Sequence, residues 1–368
     1  MNASASAFRA NICKLATAAA LVIAAAVAGS AGARAAPAQE DDESKLEELQ
    51  SHVHFAWQKQ EFSKLDEWAK EYGTKTLRSP SGLTYLSSFY AGFTQVFSGR
   101  HAEMAVKMWA ATLDAWTKAA PRSATPHVAT AEILLTRAAQ ARGSGFADTV
   151  FQENWNKFYA LVMEAKDHLD AHREVAEHDP HFWVVLARTE FLLDGDHAKL
   201  LATLRQGLAK YPRYYTPYYT GAHYLEPKWG ASPQAYYAWL DEAVRNTAPS
   251  DGTGILARLY LYTDGGPLKY AEIDNKGPLW EPMRQAMKDE LRAFPHWQNV
   301  QKFAKLACHA RDVEEVSRQL AQLSSLLNGS FPPGVPPEEY CNWQPAAKSR
   351  VIRPRPHDLP QRPRQISQ

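Results

Sequence analysis

The sequence predicts an all-helical protein assembled from antiparallel helix pairs. Three observations carry that expectation. Apolar residues recur at three- and four-residue steps along most of the chain, the period of a helix with one buried face. Glycine, proline, aspartate and serine interrupt those runs at short intervals, where helices must stop and restart. Strand-like alternation of apolar and polar residues is absent. With 45% hydrophobic and 22% charged residues, the chain has enough apolar surface to bury a sizeable core. A net charge of +1 and a pI near 7.8 give no global electrostatic case for nucleic acid.

Residues 1–35 have the layout of an export signal. Arg9 and Lys14 supply the positive end, Leu15 to Ala28 is an uninterrupted apolar run, and Ala33-Arg34-Ala35 offers a small-x-small cleavage site. The run is short of the roughly 20 residues that span a bilayer. An uncleaved anchor is the alternative; a lipid anchor is disfavoured because Cys13 precedes the apolar run. The expected location is periplasmic or secreted, with no integral membrane segment after cleavage. Cys308 and Cys341 then remain, and in an oxidising compartment they can either pair or stay apart.

Residues 36–44 read as an acidic linker, 45–344 as the helical domain and 345–368 as a tail. Leu46, Leu49, Val53 and Trp57 step as a first helix; Phe62, Leu65, Trp68 and Ala69 begin a second. Ser79-Pro80-Ser81-Gly82 starts a third with Leu83, Leu86, Phe89, Tyr90 and Phe93. The fourth, His101 to Lys118, is expected to turn Met104, Met108, Leu113 and Trp116 inward. An alanine-rich helix over 128–141 can pack closely, and 151–176 reads as one long helix with Trp155, Phe158, Leu161, Val162, Ala165 and Leu169 on one side.

Between Pro180 and Pro212 the pattern is a helical hairpin. Trp183, Val184, Leu186, Ala187 and Phe191 form one stripe, and Asp194-Gly195-Asp196 breaks it. Leu200, Leu201, Leu204 and Leu208 form the next stripe before Pro212 ends it. The prolines lie near the ~34-residue period of a tetratricopeptide unit. Gly195-Asp196, Leu204 and Pro212 resemble that repeat's turn, large second-helix position and closing proline. Trp183 is one position out of register, and Glu190 falls where an aromatic is usual. The expected architecture is a degenerate tetratricopeptide-like α-solenoid with one continuous core and an exposed concave face.

Further helices are expected over 214–225, 233–244, 255–262, 280–294, 300–309 and 312–327, the last capped by Asp312. The stretch 249–279 is rich in glycine and proline and reads mostly as loop. The tail is rich in proline and arginine and cannot fold alone. Its arginines could touch an anionic surface or stay solvated.

Three further stretches resemble an uncharacterised bacterial family, domain of unknown function DUF4034. They are Trp116 with Pro121-Arg122-Ser123, the run Ala141-Arg142-Gly143-Ser144-Gly145-Phe146-Ala147, and Tyr224-Leu225-Glu226-Pro227-Lys228-Trp229-Gly230. The similarity is expected over roughly residues 60 to 250. It implies a helical, repeat-like fold and brings no known activity or catalytic residue.

No His-Glu-x-x-His, Cys-x-x-Cys, P-loop or kinase signature is present, and no carboxylate pair is marked as acid and base. No cofactor is expected. Arg142 with Gly143-Ser144-Gly145 could form an anion-holding nest, or simply end a helix with Arg142 bonding its carbonyls. His168 and His172, one helical turn apart, could ligate zinc or copper, or could face solvent on the polar side. Tyr214, Tyr215, Tyr218, Trp229, Tyr236 and Tyr237 lie in an aromatic-dense region. Adjacent tyrosines cannot both point inward from one helix face, so some of them are expected to line a binding patch. The resulting expectation is an exported, non-enzymatic binding or scaffold protein with a protein, peptide or envelope ligand. The alternative is a metal-dependent enzyme or metal-binding protein centred on His168 and His172.

Overall fold

A computed structural model describes residues 41–94, 102–327 and 331–343. Residues 1–35, on which the export signal is expected, most of the 36–44 stretch and the tail from 345 lie outside the described residues, as does the Met104 side chain. Among the described residues the chain is all-helical, with a single isolated β-bridge between Arg78 and Thr84.

The helices of the first half are α1 (Asp42–Gln58), α2 (Phe62–Thr74), α3 (Tyr85–Ala91), α4 (Ala102–Ala119), α5 (Thr125–Arg142), α6 (Gln152–Ala171), α7 (Arg173–Ala176) and α8 (Pro180–Asp194). Those of the second half are α9 (His197–Lys210), α10 (Thr216–Tyr224), α11 (Pro233–Asp251), α12 (Gly254–Tyr262), α13 (Trp280–Ala293), α14 (Trp297–His309), α15 (Val313–Leu326) and α16 (Pro337–Tyr340). The stretch expected as one helix over 151–176 breaks at His172 into α6 and α7. On α4, Trp109, Leu113 and Trp116 are buried, whereas Met108 is 65% exposed rather than inward.

The hairpin forms as its sequence dictates. Asp179 caps α8, Gly195 ends it at φ +71°, and the Asp196 carboxylate accepts from the Ala198 and Lys199 amides to start α9. However, α8 is not striped: Phe182 to Ala187 and Thr189 to Leu192 are all buried. A helix apolar all round belongs inside a core, and α8 is packed by α5, α6, α9 and α10. A Cβ on Gly207 would stand 2.5 Å from Trp183 Cβ, so this tryptophan lies against bare α9 backbone. Buried Glu190 accepts a 2.7 Å hydrogen bond from Thr203 Oγ1.

The core is not one continuous body. A large apolar cluster runs from Val53 to Leu259, and a second from Ala257 to Leu323. Helix α12 serves both, presenting Ile255 and Leu259 to the first and Ala257 and Tyr260 to the second. The turn before α3 is also tied to helices far along the chain, whereas in a repeat array each unit touches only its neighbours. Asp42 accepts from the Ser81 amide at 2.6 Å. Arg258 donates to the Gly82 carbonyl at 2.7 Å and to that of Ser81 at 3.1 Å. Asn299 donates to Ser81 at 3.1 Å, and Arg78 pairs with Asp251 at 2.8 Å. Gly82, at φ +86°, is in contact with the Arg258 guanidinium, so the turn leaves no room for a side chain.

Cys308 of α14 and Cys341 beside α16 form a disulfide with a Cα–Cα distance of 5.4 Å. No helix among the described residues is long and apolar enough to cross a membrane.

Candidate functional site

The aromatic region does not make a surface. Tyr214, Tyr215, Tyr218, Trp229 and Tyr236 are between 0% and 4% exposed, and only Tyr237 of the six is half-buried. Tyr214 and Tyr215 both point inward because they precede α10 rather than share one of its faces. The tyrosine hydroxyls meet internal partners: Tyr214 the His181 ring at 2.6 Å, Tyr215 Ser250 at 3.0 Å, and Tyr236 Thr263 at 2.6 Å. Tyr237 donates to Glu272. Tyr218 packs on Trp239, whose indole N–H donates to the Tyr218 carbonyl at 2.9 Å. Trp229 packs against Tyr224 and Phe191. The five buried residues are packing residues and line no binding patch, which leaves Tyr237 alone at the surface.

Arg142 is likewise removed from ligand duty. It is buried, donates to the Gly143 carbonyl at 2.9 Å and lies over the Trp155 ring at 5.2 Å. Gly143 adopts φ +77° as the helix stop.

What the fold does expose is a cleft of about 990 Å³ between α2, the α4–α5 turn, the start of α8 and the end of α9. Its walls carry Lys70, Arg122, Lys210 and Arg213 against two carboxylates, Asp66 and Asp179. Both carboxylates are occupied. Asp66 accepts from Ser123 Oγ at 2.5 Å and from Trp116 at 3.3 Å. Asp179 is nearly buried and caps the His181 amide at 2.7 Å while accepting from the Tyr90 hydroxyl. Burial raises the Asp179 carboxyl above the ordinary range, against the pull of those two donors. Lys210 pairs with Glu177 at 2.9 Å. Lys70, Arg122 and Arg213 are exposed and, among the described residues, have no carboxylate within ion-pair distance.

Behind the cleft floor lies a buried polar network. Glu132 of α5 accepts from His181 Nε2 at 2.8 Å and from Arg188 at 2.7 Å. The Tyr90 ring stacks on His181 at 4.7 Å. Burial alone would raise the Glu132 carboxyl, but Arg188 and His181 hold it down at about 2. The network joins α3, α5 and α8 to the turn before α10.

The histidine pair also stands differently from expectation. His168 and His172 are half-buried rather than on an open polar side, and His127 of α5 lies against both. The ring centroids of His127 and His172 are 4.2 Å apart, and those of His168 and His172 are 4.4 Å apart. Burial, then the neighbouring imidazoles, lower His127 and His168 to about 4. Both rings are therefore neutral at pH 7. The spacing of His168 and His172 marks a pair; nothing local to them marks His127.

Fold and surface thus define a class: an all-helical protein of packed helix pairs with a cationic cleft. Residues 52–190 match the family described as domain of unknown function (DUF4034), which establishes the resemblance over that segment. The match begins before residue 60 and ends at 190, so the Tyr224–Gly230 stretch lies outside it. It includes Lys70, Arg122 and all three clustered histidines. No curated protein and no solved structure matches the chain.

Proposed function

We propose that the protein is an exported, non-enzymatic binding protein whose ligand is an acidic peptide segment held in the α2–α9 cleft. The observation that carries this reading is the set of three exposed cations without carboxylate partners, Lys70, Arg122 and Arg213, around one concavity. Unpaired cations lining a concave wall raise the local concentration of anionic ligands and steer them inward. The apolar parts of Ala69, Pro121 and Pro212 beside them suit a peptide better than an isolated anion. We read the helix pairs as a degenerate tetratricopeptide-like solenoid closed on itself by the Ser79–Gly82 turn. The Cys308–Cys341 disulfide supports the oxidising compartment that the N-terminal segment predicts.

Fluorescence anisotropy with a labelled oligoglutamate peptide tests the cleft directly. Wild type should bind, with affinity falling as salt rises. The Lys70→Glu, Arg122→Glu, Arg213→Glu triple variant should bind at least about tenfold more weakly while retaining its helicity, a loss of about 1.4 kcal/mol. Equal binding by the two proteins would refute the assignment.

A further inference from the structure

The histidine cluster carries ligand chemistry of its own. His127 is on the first turn of α5, His168 in the last turn of α6, and His172 caps the end of α6. One ring nitrogen from each lies within 4.8 Å of the other two. His127 Nδ1 and His168 Nε2 are 3.3 Å apart. Two nitrogens bound at about 2.0–2.1 Å to one tetrahedral ion stand about 3.3–3.4 Å apart, so this edge of the triangle already has ligand spacing. His172 Nδ1–H donates to the His168 carbonyl at 2.8 Å. That bond fixes the tautomer and leaves the Nε2 lone pair as the free one, as second-shell bonds do for metal-binding histidines.

The surroundings favour a cation. His168 and His172 lie at the C-terminal end of α6, whose carbonyls leave partial negative charge that opposes the partial positive charge of the α5 start at His127. The cluster opens onto a groove of about 620 Å³ whose walls include Glu164 and Asp167. A hydrogen bond between His127 and His168 accounts for one contact of the three. The third imidazole, His172, stacks face-to-face on His127 and brings a ring nitrogen within 4.8 Å of the other two.

We propose that His127, His168 and His172 form a site for one divalent transition-metal ion of the zinc type, which clamps α5 to α6 and leaves a coordination position open to the groove. Three imidazoles without a carboxylate or thiolate suit zinc or copper(II) and disfavour calcium and magnesium, which take oxygen ligands. To complete the site the half-buried His172 ring would turn out of its stack on His127, and the helix break after Ala171 lies directly beside it. This site is separate from the cationic cleft, and neither depends on the other.

The test uses the disulfide-intact chain after chelator treatment, titrated with zinc and copper(II) by calorimetry and with cobalt(II) by visible spectroscopy. One zinc or copper(II) ion per chain and cobalt bands of a four- or five-coordinate nitrogen site are expected. His168→Gln and His172→Gln should each weaken binding by at least about 100-fold, because loss of a second-shell partner alone costs 10–100-fold. Both positions are half-exposed, so these variants report on binding even if His127→Ala misfolds. His178→Gln, at an exposed neighbour outside the cluster, should leave affinity unchanged. Absence of zinc and copper(II) binding, or equal binding by wild type and the His168→Gln, His172→Gln double variant, would overturn the site. So would dependence on His178 instead.

Discussion

The buried Glu132 carboxylate makes the sharpest stability prediction. It bridges α5 to α8 by accepting from both His181 and Arg188, with only 9% of its side chain exposed. In Glu132→Gln the fold keeps the shape but leaves the Arg188 charge without its carboxylate. Removing one partner of a buried pair costs about 3–5 kcal/mol. Depression of Glu132 from 4.5 to about 2, at about 1.4 kcal/mol per unit, points to a similar figure of about 3 kcal/mol. Arg188 retains 29% of its side-chain exposure, so water can recover part of the loss. The expected cost is therefore about 2–4 kcal/mol. The sign in acid follows from the depressed carboxyl: the contribution is full above pH 4.5 and is lost as pH falls toward about 2. Urea unfolding of wild type and variant, followed by far-UV circular dichroism between pH 7 and pH 3, measures both. Wild type should lose stability through that window more steeply than the variant. Glu132→Leu with Arg188→Met should recover much of the loss, because no buried charge is then left alone. A cost below about 1 kcal/mol for Glu132→Gln, or identical acid slopes, would show that the network is not holding α5 to α8.

Two further outcomes are expected. Gly221→Ala would set a Cβ 2.4 Å from the Trp239 ring, so overpacking should cost about 1–3 kcal/mol and lower the thermal midpoint. Serine at the same position should do no better. Reducing the Cys308–Cys341 bond, which closes a 33-residue separation, should remove about 3–4 kcal/mol from the C-terminal cluster. Urea unfolding of that half with and without reductant measures it, and an unchanged midpoint would mean that α16 is not held by the bond.

Helix positions were legible because they depend on local chemistry. Asp196, Asp312 and Gly195 cap or end helices for reasons internal to a few residues, and the structure places them where periodicity does. The burial of the aromatic region is not legible in the sequence for the opposite reason. A doublet such as Tyr214–Tyr215 exposes one member only if both lie on one helix, and the start of α10 at Thr216 is a tertiary outcome. The cleft was illegible because Lys70, Arg122 and Arg213 come from three separate segments and meet only in the fold. His127 was closer to hand. Thr125-Pro126 signals a helix start, and the short connection over 143–151 implies that α5 and α6 run antiparallel. That pairing sets the beginning of α5 beside the end of α6, where His168 and His172 lie.

The turn at Ser79–Gly82 has a kinetic consequence. Its carbonyls are caught by Arg258 and Asn299 across separations of 176 and 218 residues. Contacts that distant require closing a long loop and come late in folding. The helices near the N-terminus can pair early, but their anchoring turn gains its distant bonds only as residue 258 and then residue 299 are in place. A fragment limited to residues 52–190 lacks Arg258 and Asn299, which leaves the turn loose, and lacks α9 and α10, which leaves their flank of α8 bare to water. The first helices and the second half of the chain are thus coupled through one four-residue turn.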